Sequence, residues 1–397
     1  MKVLIGTAYF ESHRGGIEIV AGRLARALGH NADAVTWLAT DATPAPTAED
    51  GCGQPMSISA WNITERRFGF PLPLPGPRGV AAIWRAVGTT DALLLHDALY
   101  PTNVVAMLAA RRHRKPVVLV QHIAAVPYQS AVLRALMTMA NAMIARPMLR
   151  AADQVVFISE TVQRHFAAVR FKAAPQIVFN GVDTELFRMP SAQFDRPGAR
   201  ARFGLPAESE VVLFVGRFVE KKGLHIIEWL ARQRPDQIFA LAGWGCIDPN
   251  SWRLPNVHVL SGLQGPSLVP LYQASDALLL PSVGEGLPLV MQEALACGLP
   301  IVCGSETAAA DQSLKDLVEG AVIDAFDHER TASAFGQALD RVLSGTLETR
   351  NKAAQARHAY VASAYSWADA ARTYGAIMKR LARTGMAPVT APAARTP

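Results

Sequence analysis

The sequence predicts an α/β fold: two doubly wound, Rossmann-like domains of parallel sheet and helix, facing each other across a cleft. Short apolar runs of β character alternate with longer helical stretches, the pattern of parallel sheets covered by helices on both faces. The alternation lapses between Phe187 and Pro206, where prolines and arginines show no strong period, and then starts afresh; this reads as a linker. At 397 residues the chain is long for one core and comfortable as two. In the first half strands are expected at Lys2–Gly6, Ala34–Leu38, Ala92–Leu95, Pro116–Gln121 and Gln154–Ile158, with helices over Ile17–Leu28, Asn103–Arg112, Ala131–Met148 and Glu160–Ala168. The second half places strands at Val211–Val215, Ile238–Ala242, Val257–Leu260, Ala277–Leu280, Pro300–Val302 and Ala321–Ile323. Thr43 to Val80 is rich in Pro and Gly and includes Phe68-Gly69-Phe70-Pro71-Leu72-Pro73-Leu74-Pro75, so it reads as a long irregular loop. From Met386 onward Ala, Pro and Thr dominate, and a disordered tail is expected.

Half of the residues are apolar and 18% are charged, a globular composition rather than a disordered one. A net charge of +6 favours an anionic partner, such as a nucleotide or an acidic membrane surface, or else marks a generally basic surface. The four cysteines, at positions 52, 246, 297 and 303, form no C-x-x-C pair, which suits a reducing, cytoplasmic compartment. Cys297 lies in an Ala-rich helical stretch and reads as a small core residue. Glu11, His13 and Arg14 interrupt the opening apolar run too early for a signal peptide, and no run of about 18 apolar residues is present to span a bilayer.

The chemistry concentrates at two strand ends in the second half. Glu285-Gly286-Leu287-Pro288-Leu289-Val290-Met291-Gln292-Glu293 follows the strand Ala277–Leu280 and runs into the helical stretch Glu293–Gly298. A strand, a turn and a helix start in that order aim free N–H groups at one point, where an anion binds. Pro288 has no amide, so Gly286, Leu287 and Leu289 are the donors available. Glu293 is read as opening the helix, either as a favourable N-terminal charge or as the acceptor of two ribose hydroxyls. Glu285, beside the anion-binding turn, can contact a donor sugar or help stabilise positive charge developing at its anomeric carbon. Upstream, Gly216-Arg217-Phe218-Val219-Glu220-Lys221-Lys222-Gly223 sets cations at the end of another strand. The guanidinium of Arg217 can grip two phosphate oxygens and Lys222 adds a point charge, each such bond worth roughly 1.5–3 kcal/mol.

Other signals are weaker. No G-x-G-x-x-G follows the first strand and no Walker lysine motif occurs, which removes the main support for dehydrogenase and P-loop readings. No Asp-x-Asp pair occurs, so a site without metal and without a cofactor is expected, with protein cations neutralising a departing diphosphate. Gly15 and Gly16 start a helix after the first strand and allow close backbone approach to a ligand, or only a turn. His122 closes a strand at its carboxyl end, facing the cleft, as a ligand contact or as a structural histidine. Asn180-Gly181-Val182-Asp183 reads first as a turn. The stretch Ala131–Met148 carries Leu133, Leu136, Met137, Ala140, Met143 and Ile144 at helical spacing with Arg134, Arg146 and Arg150 along it; it reads as core-facing, the alternative being a helix resting on an anionic membrane. Arg111-Arg112-His113-Arg114-Lys115 supports that alternative. Interleaved aromatics and known modules are missing, so no nucleic-acid role is expected.

These residues together resemble glycosyltransferase family four. The likeness is carried by Gly15-Gly16-Ile17-Glu18, Val178-Phe179-Asn180-Gly181-Val182-Asp183, Gly216-Arg217 through Lys222-Gly223, Leu280-Pro281-Ser282, and the Glu285–Glu293 pair followed by Ala294-Leu295-Ala296-Cys297-Gly298. It runs from residue 1 to about 380, through Tyr365-Ser366-Trp367. The resemblance implies the GT-B fold, with an acceptor-side domain at 1–188, a nucleotide-sugar domain at 189–365, a helix at 366–383 returning to the first domain, and a tail at 384–397. It further implies retaining, metal-independent transfer from a nucleoside-diphosphate sugar to a glycan or lipid-linked acceptor. In that scheme Arg217 and Lys222 hold the diphosphate, Glu293 the ribose and Glu285 the donor sugar region, with Gly16 near the phosphates and His122 on the sugar. The leaving phosphate oxygen then deprotonates the acceptor, and no dedicated base is needed. After Val302 the family's Gly-Gly turn is replaced by Cys303-Gly304-Ser305-Glu306, so no role is carried to Glu306. A nucleotide-sugar epimerase or phosphorylase of the same shape, or a sugar-nucleotide-binding protein without catalysis, are the competing readings.

Overall fold

The computed structural model describes residues 1–29, 32, 34–47, 51–62, 72–124, 130–324 and 327–385. Seven parallel strands form the first sheet: β1 (Lys2–Gly6), β2 (Ala34–Thr40), β3 (Gln54–Ile58), β6 (Ala92–His96), β7 (Val117–Gln121), β8 (Gln154–Phe157) and β9 (Gln176–Ile177). Between them β4 (Ala60–Trp61) and β5 (Leu74–Pro75) pair antiparallel as a small ribbon. The sheet order is β3-β2-β1-β6-β7-β8-β9, so the direction of winding reverses between β1 and β6. The second sheet holds β10 (Val211–Phe218), β11 (Ile238–Gly245), β12 (Val257–Leu260), β13 (Ala277–Leu280), β14 (Ile301–Gly304) and β15 (Glu319–Ala321) in the order β12-β11-β10-β13-β14-β15, reversing between β10 and β13. Ligands bind outside the carboxyl ends of strands at such reversals.

Strand side chains explain why the β runs are continuous and not alternating. Val211, Leu213 and Val215 pack into one core of the second sheet while Val212 and Phe214 pack into the other. In the first sheet Leu4, Leu93 and Leu95 serve one face and Val3, Ile5 and Leu94 the opposite face. Both faces are covered, so consecutive residues are all apolar. The last helix, Trp367–Gly385, returns to the first sheet, where Ala370, Ala371, Tyr374, Ile377 and Met378 join the core around Val3 and Ile5. The chain passes between the halves at one place: Val182 N donates to Tyr365 O at 3.0 Å, and a Cβ on Gly181 would stand 2.4 Å from the Trp367 nitrogen.

Several expectations need correction. Thr43–Val80 is not wholly irregular, because β3 pairs with β2 in register from Thr36↔Gln54 to Thr40↔Ile58 and a helix begins at Pro77. Pro at the first helical position has the right φ and no amide to waste, so the Pro-rich composition hid a helix start. Residues 68–71 of the proposed loop, and the tail from 386, lie outside the described residues. The presumed linker holds a short helix, Arg196–Arg202, capped by Asp195. The last strand is Glu319–Ala321, slightly earlier than expected.

The stretch Ala131–Met148 departs furthest. It forms a helix Ala131–Ala140, a wider π turn Asn141–Ala145 and a second helix Arg146–Ala151. Pro147 cannot donate to the carbonyl four residues back, and the wider turn accommodates that loss. The inward face is Met137, Asn141, Ala145, Met148 and Leu149. Of the apolar set expected in the core, only Met137 is buried; Leu136, Met143 and Ile144 are exposed. The core-facing reading therefore holds for Met137 and fails for Leu136, Met143 and Ile144.

Candidate active site

The carboxyl ends of β7 and β13 meet across the cleft. A Cβ added at Gly286 would lie 2.7 Å from His122 O and 3.0 Å from Ile158 Cδ1, so only glycine lets the turn after β13 approach the first domain this closely. The same turn is pressed from the other side by the segment that follows β10. There Glu220–Lys222 makes one 3₁₀ turn, ended by Gly223 at φ 72°, where a Cβ would stand 2.2 Å from Pro281 O. Val283 N donates to Lys221 O at 2.9 Å and completes the contact.

Two lysines and a glutamate are thereby brought together. Lys222 Nζ lies 2.8 Å from Glu285 Oε1, and Lys221 Nζ lies 4.0 Å from the same oxygen. Burial pushes the Glu285 carboxyl up, but the two ammonium groups, with Arg217 behind them, outweigh burial and hold it at about 2. Arg217 sits within β10, in register with Trp244 of β11, and its charge acts on both Glu285 and Glu18 of the first domain.

The helix after the turn is Leu289–Ala296, with extended Pro288 as its N-cap. Glu293 is thus the fifth helical residue and does not open the helix, which corrects the sequence reading. A dipole contribution falls off beyond the first turn, so the capping role is lost. Pro288 O accepts from Met291 N at 3.1 Å and Gln292 N at 3.3 Å, leaving the amides of Gly286, Leu287 and Leu289 ahead of the first intrahelical bonds. Leu287 itself is buried. Tyr272 Oη donates to Glu293 Oε2 at 2.9 Å. Glu293 keeps a partly exposed edge, while desolvation raises its carboxyl to about 7 against the pull of Tyr272 and Arg23.

On the first domain, Gly15 and Gly16 lead into the helix Gly16–Gly29. A Cβ at Gly15 would collide with Glu18 Oε2 at 2.1 Å, whereas nothing lies within 4 Å of one at Gly16. Glu18 is 2% exposed and accepts from Tyr100 Oη at 3.0 Å; burial raises its carboxyl. His122 is buried and its Nε2 lies 3.0 Å from His96 Nδ1. Burial brings His96 down to about 3, and burial plus His96 takes His122 well below its usual value, so both rings are neutral. Asp97, next to His96, adopts φ 71° with its carboxylate accepting from Leu99 N at 2.9 Å and Gln121 Nε2 at 3.2 Å. Burial raises that carboxyl to about 6.

Of the expected residues, Lys222, Glu285 and Gly286 come together with the His122 backbone, the charge of Arg217 reaches Glu285 and Glu18, Gly15 and Gly16 lead into the helix that carries Glu18, and Glu293 stands one helical turn beyond the start of its helix. Two others turn out structural. Asn180 is buried and its carbonyl accepts from Gln292 Nε2 at 2.7 Å, and the Glu306 carbonyl accepts from Thr161 Oγ1 at 3.0 Å across the domains. Cys297 is buried and its thiol is pushed up to about 12, as a core residue should be. Sequence reasoning missed Lys221, Glu18, Tyr272, His96 and Asp97. His96 and Asp97 close β6 by the same rule that found His122, whereas nothing near Tyr272 in sequence announces its partner 21 positions on.

Comparison with known proteins bears on this arrangement. Residues 14–186 match glycosyltransferase family 4, and residues 195–358 match glycosyl transferases group 1. The D-inositol 3-phosphate glycosyltransferase of Mycolicibacterium smegmatis is 29% identical over 231 residues, 55% of this chain and 50% of that protein. Its counterpart in Mycobacterium leprae is 27% identical over 298 residues, 69% of this chain and 66% of that protein. The chain spans about half the length of the first of these curated relatives. Among solved structures, sucrose-phosphate synthase from Thermosynechococcus elongatus superposes with a TM-score of 0.76 at 18% identity, covering 97% of this chain and 100% of that one. Anabaena HepE in complex with UDP-glucose gives 0.70 at 18% identity, covering 96% and 100%. At such identities the likeness speaks for the fold. The two family matches together run from residue 14 to residue 358, and with the shared two-sheet architecture they mean that this chain belongs to glycosyltransferase family four, of the GT-B fold.

Proposed function

We propose that this protein is a retaining, metal-independent glycosyltransferase that moves a sugar from a nucleoside-diphosphate sugar to a glycan or lipid-linked acceptor, in the synthesis of a surface polysaccharide or glycolipid. The observation that carries the reading is the basic cluster of Arg217, Lys221 and Lys222, pressed against the turn Pro281–Glu285 that leads into the helix start at Gly286–Leu289, with the charge of Arg217 reaching Glu18 of the first domain. Preorganised cations and amides aimed where charge develops stabilise a departing diphosphate without a divalent ion. Glu293, steadied by Tyr272, suits the paired hydroxyls of a ribose, and Glu285 with neutral His122 suits the donor sugar. Burial disfavours the imidazolium of His96 and His122 and so makes them weak bases, in keeping with a leaving phosphate that takes the acceptor proton on the same face. The UDP-glucose complex of the structural neighbour supports a nucleotide-sugar donor.

A thermal-shift series with UDP-, GDP- and ADP-sugars tests the donor. One base should raise the unfolding midpoint, by about 2.7 kcal/mol of stabilisation at a hundredfold excess over Kd. No shift with any of them sinks the reading, and loss of turnover in EDTA sinks its metal-free part. Epimerised or hydrolysed donor in place of a transfer product would favour the epimerase or phosphorylase alternative.

The reading also sets the enzyme on the inner face of the plasma membrane, working from the cytoplasm. Val132, Leu136, Met139 and Met143 form one exposed apolar stripe at helical spacing, with Val132 76% and Met143 69% exposed. Exposed Arg146 and Arg150 lie beyond its far end. Between Asp97 and Asp153 there is no acidic residue, while Arg111, Arg112, Arg114, Lys115, Arg134, Arg146 and Arg150 all fall there. An apolar face beside basic residues is the make-up of a helix lying in an anionic interface. No helix among the described residues is long and apolar enough to cross a membrane. The wild-type protein should pellet with vesicles containing phosphatidylglycerol at low salt and not with pure phosphatidylcholine. The Leu136→Asp, Met143→Asp double variant should stay in the supernatant, and equal pelleting of the two would remove the stripe from the account.

A further inference from the structure

Lys222 has two claims on it. It holds Glu285 at 2.8 Å in this structure, yet the reading above asks it to meet a donor diphosphate. Drawing it away would leave a buried carboxylate without a counter-ion, a costly state for an ionised group shut off from water. Lys221 stands 4.0 Å from the same Glu285 oxygen, with its side chain 20% exposed and its carbonyl tied to Val283 N at 2.9 Å. It is therefore anchored to the turn that carries Glu285, one short side-chain adjustment from full contact.

We propose that Lys221 is the standing counter-ion of Glu285, a positioning residue that takes over the carboxylate when a donor diphosphate draws Lys222 away. This rests on the diphosphate reading of the Arg217–Lys222 site. Glu285 then stays ionised and in place toward the donor sugar throughout the cycle. The charged groups acting on it are Lys222, Lys221 and Arg217, all from the β10 side, while from the first domain the His122 backbone approaches the neighbouring Gly286. Arg217, Lys221 and Lys222 set against Glu285 leave two net positive charges, which match the two negative charges of a nucleoside-diphosphate sugar. Burial and the neighbouring cations lower the Lys221 ammonium, and Glu285 is the group that pulls it back toward the charged form, so the ion pair is what keeps the lysine cationic there.

The sign of the pH effect follows. With both lysines present the Glu285 carboxyl is held at about 2, so the wild type keeps Glu285 ionised through the ordinary carboxylate range. Without Lys221, burial gains ground, the carboxyl moves up, and activity is lost as pH falls through the carboxylate range of about 4 to 5. Release of nucleoside diphosphate from UDP-, GDP- and ADP-glucose is measured across that range for Lys221→Met, Lys221→Gln and Lys221→Arg, with circular dichroism at each pH to confirm folding. The Met and Gln variants should lose about tenfold in kcat with donor KM changed less than about threefold, and their acid limb should move up. Lys221→Arg should restore both. An unmoved acid limb and unchanged kcat in whichever of the Met and Gln variants folds overturn the proposal. Lys222→Met separates the two levels: if it binds UDP, GDP and ADP like wild type, the diphosphate reading itself fails. If it loses binding while the Lys221 variants keep the wild-type limb, only the counter-ion role fails.

Discussion

Arg217→Ala lowers kcat/KM for donor turnover by about 10²- to 10³-fold, the effect of removing one preorganised donor from a site where charge builds in the transition state. The guanidinium sits within β10, whose register with β11 runs unbroken from Val211↔Ile238 to Phe218↔Gly245, so its backbone is fixed by the sheet and not by a mobile loop. Fixed placement means that no reorganisation is needed when the diphosphate leaves. Loss should appear mainly in kcat, because the leaving group gains charge only as the bond breaks. Steady-state kinetics with the donor found by thermal shift checks this, beside a melt showing that the variant is folded. Turnover within about threefold of wild type would remove Arg217 from the diphosphate cradle and with it the central assignment.

Asp276→Ala destabilises the second domain by about 3–5 kcal/mol, the range for removing one partner of a buried ion pair. Arg200 is 3% exposed, and its guanidinium meets Asp276 Oδ2 at 2.7 Å, Ala274 O at 3.0 Å, Ala207 O at 2.6 Å and Ser209 O at 2.8 Å. Asp276 also accepts from Val211 N at 2.8 Å and from Arg196 Nη2 at 2.6 Å. One carboxylate thereby ties the short helix Arg196–Arg202 to the starts of β10 and β13, the two strands whose far ends carry the cations and the donor turn. Urea unfolding should show the lowered midpoint. Asp276→Asn keeps an acceptor for Val211 N and should lose less. Equal stability of Ala and wild type would mean that the Arg200 charge finds water once its partner is gone.

Much of this protein can be read locally. β1, β12 and β13 lie where the apolar runs stand, because strands buried on both faces need side chains that leave no alternative period. Arg217, Lys222, Glu285 and the 286–289 turn were legible for a related reason: a polar cluster directly after an apolar strand has to emerge at a sheet's carboxyl end. The Pro-rich stretch before Pro77 misled, since proline both breaks helices and starts them, and its composition is the same in the two cases.

By itself the sequence determined two wound sheets, the ends of their strands and the residue types at those ends, since all of these follow from burial pattern and chain direction. Only the tertiary structure decided partners. It put Lys222 on Glu285, Tyr272 on Glu293 and His96 on His122, pairs whose members come from different elements of the fold. It also left Val132, Leu136, Met139 and Met143 of Ala131–Ala151 outward, while Ala145, Met148 and Leu149 join the core of the first sheet. Periodicity says that a helix has an apolar face; which neighbour receives it depends on packing across long separations in the chain, and no local pattern encodes that.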